Sequence, residues 1–267
     1  MNEQRKKNSK FLGHLKYGKK EGFGVQIWPD GAKFSGYYKN NQTHGLGLCF
    51  HADGDVYKGD FFKDRAYGFG IYTHNKGGSF MGEWVDDIQE GIGIESGKDE
   101  SMYQGEYRQG KKEGIGTYIW PDGSQYEGEW ENNNLSGFGI YTISPTRIYI
   151  GSWKANMMHG YGEFTWKEGK KYAGFYIEDK KDGFGIYYWQ DPPKAYVGFW
   201  KDGKQHGIGK YITADKSKAK YSLYNNGHKA MGFPSENEAI KSLQGEELKF
   251  KEVLRYDLNQ IKAFLNY

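Results

Sequence analysis

The sequence predicts an all-β repeat protein built from short hairpins, on three observations. A Gly-x-Gly pair recurs at Gly22/Gly24, Gly45/Gly47, Gly68/Gly70, Gly91/Gly93, Gly114/Gly116, Gly137/Gly139, Gly160/Gly162, Gly183/Gly185 and Gly207/Gly209, at steps of 23 residues seven times and then 24. An aromatic-x-Gly triplet keeps the same beat, from Phe11-Leu12-Gly13 to Tyr196-Val197-Gly198. The composition agrees: 267 residues hold 40 Gly, 23 Tyr, 16 Phe and 8 Trp, with only 37% apolar residues. Such self-similarity marks an architecture in which each unit buries its face against its neighbours.

Each segment follows from this in order. Residues 1–10, MNEQRKKNSK, form a basic polar tail without the apolar run of a signal peptide. The array runs over 11–232, as nine copies and a degenerate tenth that begins near Tyr221 and has lost its glycines. Within a copy, YEGEW (Tyr126 to Trp130) alternates, so Tyr126, Gly128 and Trp130 share one face and Glu127 and Glu129 the other. Asn132 to Asn134 supply turn residues, and GFGIY (Gly137 to Tyr141) alternates again. The pentapeptide IWPDG, at 27–31 and again at 119–123, is the next turn, with Pro presetting φ and Gly accepting a positive one. Glycine weakens a strand unless another group must approach its backbone, and a neighbouring ring lying across each glycine supplies that reason.

Residues 233–267 read differently. Ser235 and Glu238 form a capping box before Ala239, Ile240 and Leu243 at helical spacing. Phe250, Val253, Leu254, Leu258, Ile261 and Leu265 then mark one stripe of a second helix, a candidate docking segment for its own sheet or for a partner. The residues between Tyr, Gly and Trp turn apolar in the late copies, as Ala173/Phe175 and Val197/Phe199, and the tail is expected to pack there.

The cycle Tyr-x-Gly-x-Trp, Gly-x-Gly-x-Tyr, Asp-Gly closely resembles the MORN repeat, from about Phe11 to Gly209 with a fading copy to Gly232. The resemblance implies an elongated, single-layer, twisted antiparallel meander of hairpins with a groove, followed by the α-helical tail. Two copies depart from the pattern. The fourth has Glu95 where most carry an aromatic and no Asp-Gly between Ser96 and Met102, and the sixth replaces that turn with Ser144-Pro145-Thr146. Chains similar to this one, made almost wholly of such repeats, are scaffolds, including ciliary axoneme and radial spoke head components. Others of the family bind myosin tails or organise junctions and the cell cortex.

Catalytic and cofactor chemistry finds no support. No Gly-x-Gly pair extends to Gly-x-Gly-x-x-Gly opening a helix, and none precedes Lys-Ser/Thr, so no cofactor is expected. His44, His159 and His206 share one repeat position, taken as a turn, and adjacent repeats stand about 10 Å apart, too far to share a metal. Cys49 is single, which fits a reducing, cytoplasmic setting, and no stretch approaches the length of a membrane span. A net charge of +3 does not argue for nucleic acid. Three candidate surfaces remain. Tyr103, Tyr107, Tyr126, Trp130, Tyr149 and Trp153 are expected to line a groove that binds proteins of a larger assembly or a second copy of the chain. Asp60, Glu83, Glu106 and Glu129 share one position and form an acidic stripe facing a basic partner. The pairs Lys19-Lys20, Lys111-Lys112 and Lys180-Lys181 provide the alternative, a peripheral module on anionic phospholipid, although Glu21, Glu113 and Asp182 beside them offset the charge. The expectation is a non-catalytic scaffold of the cilium or cytoskeleton.

Overall fold

The computed structural model describes residues 9–213 and 219–242. The chain falls into two compact units, 1–133 and 134–267, each an antiparallel meander in which strands pair with their sequence neighbours. The first holds β1 (Lys10–Lys16), β2 (Lys19–Ile27), β3 (Lys33–Lys39), β4 (Gln42–Phe50), β5 (Val56–Phe62), β6 (Arg65–Thr73), β7 (Ser79–Val85), β8 (Ile88–Ser96), β9 (Met102–Arg108), β10 (Lys111–Ile119) and β11 (Gln125–Glu131). The second holds β12 (Asn134–Ser144), β13 (Arg147–Lys154), β14 (Met157–Thr165), β15 (Lys171–Ile177), β16 (Lys180–Trp189), β17 (Lys194–Lys201), β18 (Lys204–Thr213), β19 (Lys220–Asn225), β20 (His228–Phe233) and a short helix, α1 (Glu236–Lys241). Among the described residues no helix is long and apolar enough to cross a membrane.

The leading aromatic of each repeat makes the core. Tyr103, Tyr126, Tyr149, Tyr172 and Tyr196 are the largest fully buried side chains, joined by Phe34. Each ring lies over paired glycines. A Cβ added to Gly116 would stand 2.6 Å from the Tyr103 ring, which no real side chain tolerates. The strands therefore carry bare backbone because the ring needs the room. Each tyrosine hydroxyl donates to the carbonyl three residues on, as Tyr103 to Glu106 at 3.1 Å and Tyr149 to Ser152 at 3.0 Å. The ring four residues later meets it edge-on and also meets the leading ring of the preceding repeat. Trp84 stands 5.1 Å from Phe80 and 5.4 Å from Tyr57, both near perpendicular. Its indole N–H donates to the Gly70 carbonyl at 3.2 Å. A fully buried ring of this kind contributes about 1.5–3 kcal/mol.

Two turns alternate. The first, within the hairpin, puts both central residues at positive φ, as Lys63 (49°) and Asp64 (69°), the arrangement whose twist suits paired strands. The second is a four-residue reversal. Trp120 N–H donates to Ser124 O and Gly123 N–H to Trp120 O, both at 2.9 Å. The Asp122 carboxylate accepts Ser124 N–H at 2.9 Å and its hydroxyl at 2.6 Å. IWPDG recurs for that reason: Pro starts the turn, Asp closes it and Gly accepts φ 82°. The fourth copy keeps the same turn without Asp-Gly, since Asp99 accepts from Ser101 and Glu100 takes φ 71°.

Successive hairpins are clamped at one place. Asp64 donates its N–H to Thr43 O at 3.2 Å and accepts Thr43 N–H on its carboxylate at 2.8 Å, 21 residues upstream. Asn41 does the same to Lys20, Asp87 to Ala66, Asn133 to Lys112, Asn156 to Leu135 and Asp179 to Met158. The acids beside the lysines hold the neighbouring turn: Glu21 accepts Asn40 N–H at 3.0 Å and Glu113 accepts Asn132 N–H at 2.9 Å.

At the C-terminal end Glu238 N–H donates to the Ser235 hydroxyl at 3.3 Å, as a capping residue does. Ala239 of α1 is buried in a cluster with Ala173, Ile186, Ala195, Val197 and Ile208, against which Phe199 packs. Phe175, also expected under the tail, is 49% exposed. The stripe Phe250, Val253, Leu254, Leu258, Ile261 and Leu265, with Leu243, lies outside the described residues.

Candidate functional site

The six rings expected to line a groove are the core itself. Tyr103, Tyr107, Tyr126, Trp130, Tyr149 and Trp153 are 0–8% exposed, and their polar atoms are spent inside the fold. Trp130 donates to Gly116 O at 3.0 Å, and Tyr107 donates to the Glu95 carboxylate at 2.6 Å. They offer a partner no ring face. The reason is the glycine pair, which lets the rings sink to the backbone.

The aromatic surface on this side is carried two and four residues beyond each second glycine. In the second unit Phe164 stacks on Trp166 at 4.4 Å, Trp166 on Tyr187 at 5.5 Å, Tyr187 meets Trp189 at 4.4 Å, and Trp189 stacks on Tyr211 at 6.0 Å. Phe164 is buried beneath them, and the four partly exposed rings, Trp166, Tyr187, Trp189 and Tyr211, form a continuous ledge. In the first unit the same positions hold Tyr118 and Trp120, 4.8 Å apart, and Tyr72 with His74 at 4.9 Å. Beside them lie hollows of about 330 Å³ (Cys49, Tyr57, Tyr72, Trp84) and 430 Å³ (His74, Glu95, Tyr107, Lys112). Alternation alone puts the Tyr of Gly-x-Gly-x-Tyr and the Trp of IWPDG on the face of the leading ring; their exposure follows from the register, which sets Tyr118 opposite Tyr103 and Tyr126 rather than a glycine.

The lysine pairs divide. Lys19, Lys111 and Lys180 are exposed, Lys111 donating to Asn132 and Lys180 lying 3.8 Å from Asp202. Their neighbours Lys20, Lys112 and Lys181 turn inward, because the strand alternates. Lys112 stands in register with Tyr107, with its Nζ 5.0 Å from the Tyr103 ring and 2.7 Å from the Glu95 carboxylate. Lys20 Nζ lies over Phe11 and Tyr38 and donates to Gln26. These three cannot meet a flat lipid surface together with their neighbours, which corrects the expectation of six lipid-facing ammonium groups.

The acidic stripe is partly consumed as well. Glu83 and Glu106 accept the N–H of Ile92 and Ile115, beside bulges at Gly91 and Gly114 whose φ is positive. Asp60 lies against Gly68, and Glu129 is exposed. His44, His159 and His206 sit within β4, β14 and β18 rather than in turns. Among the described residues no group of three or more His, Cys, Asp or Glu side chains is placed to hold a metal ion. On the opposite face, Phe23, Leu46, Phe69, Ile92 and Ile115 stand more than half exposed. Phe23, Leu46 and Phe69 border a groove of about 450 Å³.

A hairpin with a ring sunk over paired glycines, repeated with a fixed clamp, defines an aromatic-glycine β-repeat array. The repeats match the MORN repeat at residues 11–33, 34–56, 57–79, 80–102, 103–125, 126–144, 149–171, 172–191 and 196–218, and the chain belongs to the MORN-repeat family. Such repeats serve as protein-interaction or membrane-binding modules. No curated protein sequence matches the chain. Among solved structures it is similar to the TCP10 domain of Danio rerio CPAP, with TM-score 0.42 and 10% identity over 79% of this chain and 99% of that one. It is similar to the Drosophila melanogaster SAS-4 (dCPAP) TCP domain in complex with a proline-rich motif of Ana2 (dSTIL), with TM-score 0.34 and 9% identity over 72% and 90%. A streptogramin B lyase structure is similar with TM-score 0.17 and 13% identity over 84% and 90%.

Proposed function

We propose that the chain is a non-catalytic scaffold that holds protein partners on its aromatic face, within a ciliary axonemal assembly such as the radial spoke. The observation that carries the scaffold reading is the ledge from Trp166 to Tyr211. Its rings are left partly exposed, as are Tyr72, Tyr118 and Trp120 in the first unit, while amides and carboxylates of the same unit as the ledge, as Asn156 and Asp179, clamp strands. Aromatic ledges give a partner large contact area at small entropic cost. The axonemal setting follows from the resemblance to stand-alone arrays of this family.

The experiment is to express a tagged chain in ciliated cells, strip membranes with detergent and assay the axoneme. Retention through detergent and release by high salt is the expected result. Complete release by detergent would favour a membrane role. In that case Lys19, Lys111 and Lys180 would carry the contact, since their neighbours point inward.

A further inference from the structure

The fourth and fifth repeats hold a small polar unit within the aromatic face. Glu95 accepts from Tyr107 Oη at 2.6 Å and from Lys112 Nζ at 2.7 Å, while that ammonium lies over the Tyr103 ring. Burial of both donors is tolerated because one carboxylate satisfies them.

The seventh and eighth repeats reproduce the donors and omit the acceptor. Lys181 takes the place of Lys112, in register with Tyr176, which takes the place of Tyr107. Phe164 stands where Glu95 stood. Tyr176 Oη is buried without a hydrogen-bond partner. Lys181 Nζ lies 4.5–5.2 Å from the centres of four rings, Tyr187, Trp200, Tyr172 and Trp166, and among the described residues nothing gives it a carboxylate. Desolvation lowers its pKa to about 8, as expected of an ammonium without a counter-charge.

The surroundings extend the same charge. Arg147 lies 5.9 Å over Phe164, and Lys194 Nζ 4.9 Å over Trp189. Of the carboxylates in the adjoining turns, Glu168 is paired with Lys170, and Asp191 sits exposed in the turn after β16.

We propose that the ledge of the second unit binds an extended acidic peptide, one carboxylate of which docks on Lys181 and takes the role that Glu95 plays in the fifth repeat. This rests on the scaffold reading and names the chemistry of the partner. A peptide side chain reaches an ammonium recessed between rings, which a flat lipid surface does not. Neighbouring repeats are about 10 Å apart, so rings from three repeats span about six extended residues at about 3.3 Å each.

The test is selection of phage-displayed octapeptides on the purified full-length chain, on Lys181→Met and on Phe164→Glu. Phe164→Glu restores the internal carboxylate and leaves the lysine in place. Near-ultraviolet circular dichroism establishes that each variant is folded. The expected result is enrichment of Asp or Glu at one position by about tenfold on the wild type, lost on both variants. No acidic enrichment, or enrichment that persists on Lys181→Met, overturns the proposal. Lys181-dependent binding to phosphatidylserine vesicles without acidic selection overturns it in favour of a lipid phosphate. Axonemal retention without acidic selection would remove this site and leave the scaffold reading standing. Selection without retention would keep this site and the scaffold reading and remove the axonemal setting.

Discussion

Tyr103 illustrates how much of the fold rests on single side chains. Its ring covers Gly105 and Gly116, and its hydroxyl binds Glu106 O. Phe34 and Phe80 fill the same position without a hydroxyl, so the ring matters more than the bond. Tyr103→Phe should cost about 0.5–1.5 kcal/mol and Tyr103→Ala about 3–5 kcal/mol, measured by urea denaturation. Lys181 gives a prediction in pH. Its pKa falls from 10.5 to about 8 among Trp166, Tyr172, Tyr187 and Trp200. Between those values the unfolded chain binds more protons than the folded one, so stability should rise with pH there. Below pH 8 the full cost is present. Lys181→Met should flatten that rise, which thermal melts at pH 7, 9 and 10 would read.

At the scale of elements, the hairpin and its inter-repeat clamp set the register. Asp87 sits at φ 69° and binds Ala66 through both its N–H and its carboxylate. Asp87→Ala loses the bond and strains the turn, at a cost of about 1–3 kcal/mol. Asp87→Gly should cost less, because glycine accepts the angle and already serves at Gly110 and Gly203. The comparison needs only two denaturation curves. Glu95 ties the fourth and fifth repeats together. Burial pulls its carboxyl pKa up, but hydrogen bonds from Lys112 and Tyr107 outweigh that and hold it below 4.5. Its stabilisation is therefore present above that value and lost as pH falls through the lower folded one. Glu95→Gln should lose stability at pH 7 and less as pH falls below 4.5, a difference that paired melts would show. The period, the hairpins and the rings over glycine were legible from Gly-x-Gly and Tyr-x-Gly-x-Trp alone. Which rings stay exposed was not, because burial depends on whether a glycine stands opposite, a relation between strands rather than along one. The inward turn of Lys112 and Lys181 was legible in principle, from alternation within the lysine pair.

For the molecule as a whole, each repeat presents an aromatic face and a second face bearing Phe23, Leu46 and Phe69 in the first unit. Leu46 is 63% exposed, so Leu46→Gln should shift stability by no more than about 0.5 kcal/mol while reducing binding of a hydrophobic dye. A larger shift in the melt would mean that this face is packed. The clamp also bears on how such a chain lengthens. The hairpin turn keeps two central residues from Tyr17-Gly18 to Asn226-Gly227, whereas the other reversal, five residues long at 166–170, shortens to two at Pro145-Thr146 and to four between Trp189 and Lys194. One joint is held on both its amide and its carbonyl side, and the other is free to drift. Genetic insertions and losses should therefore collect at the second joint, and whole duplications are the only way to add length without unfastening the first. The chain grows by quanta, and its unit of inheritance is the 23-residue cycle.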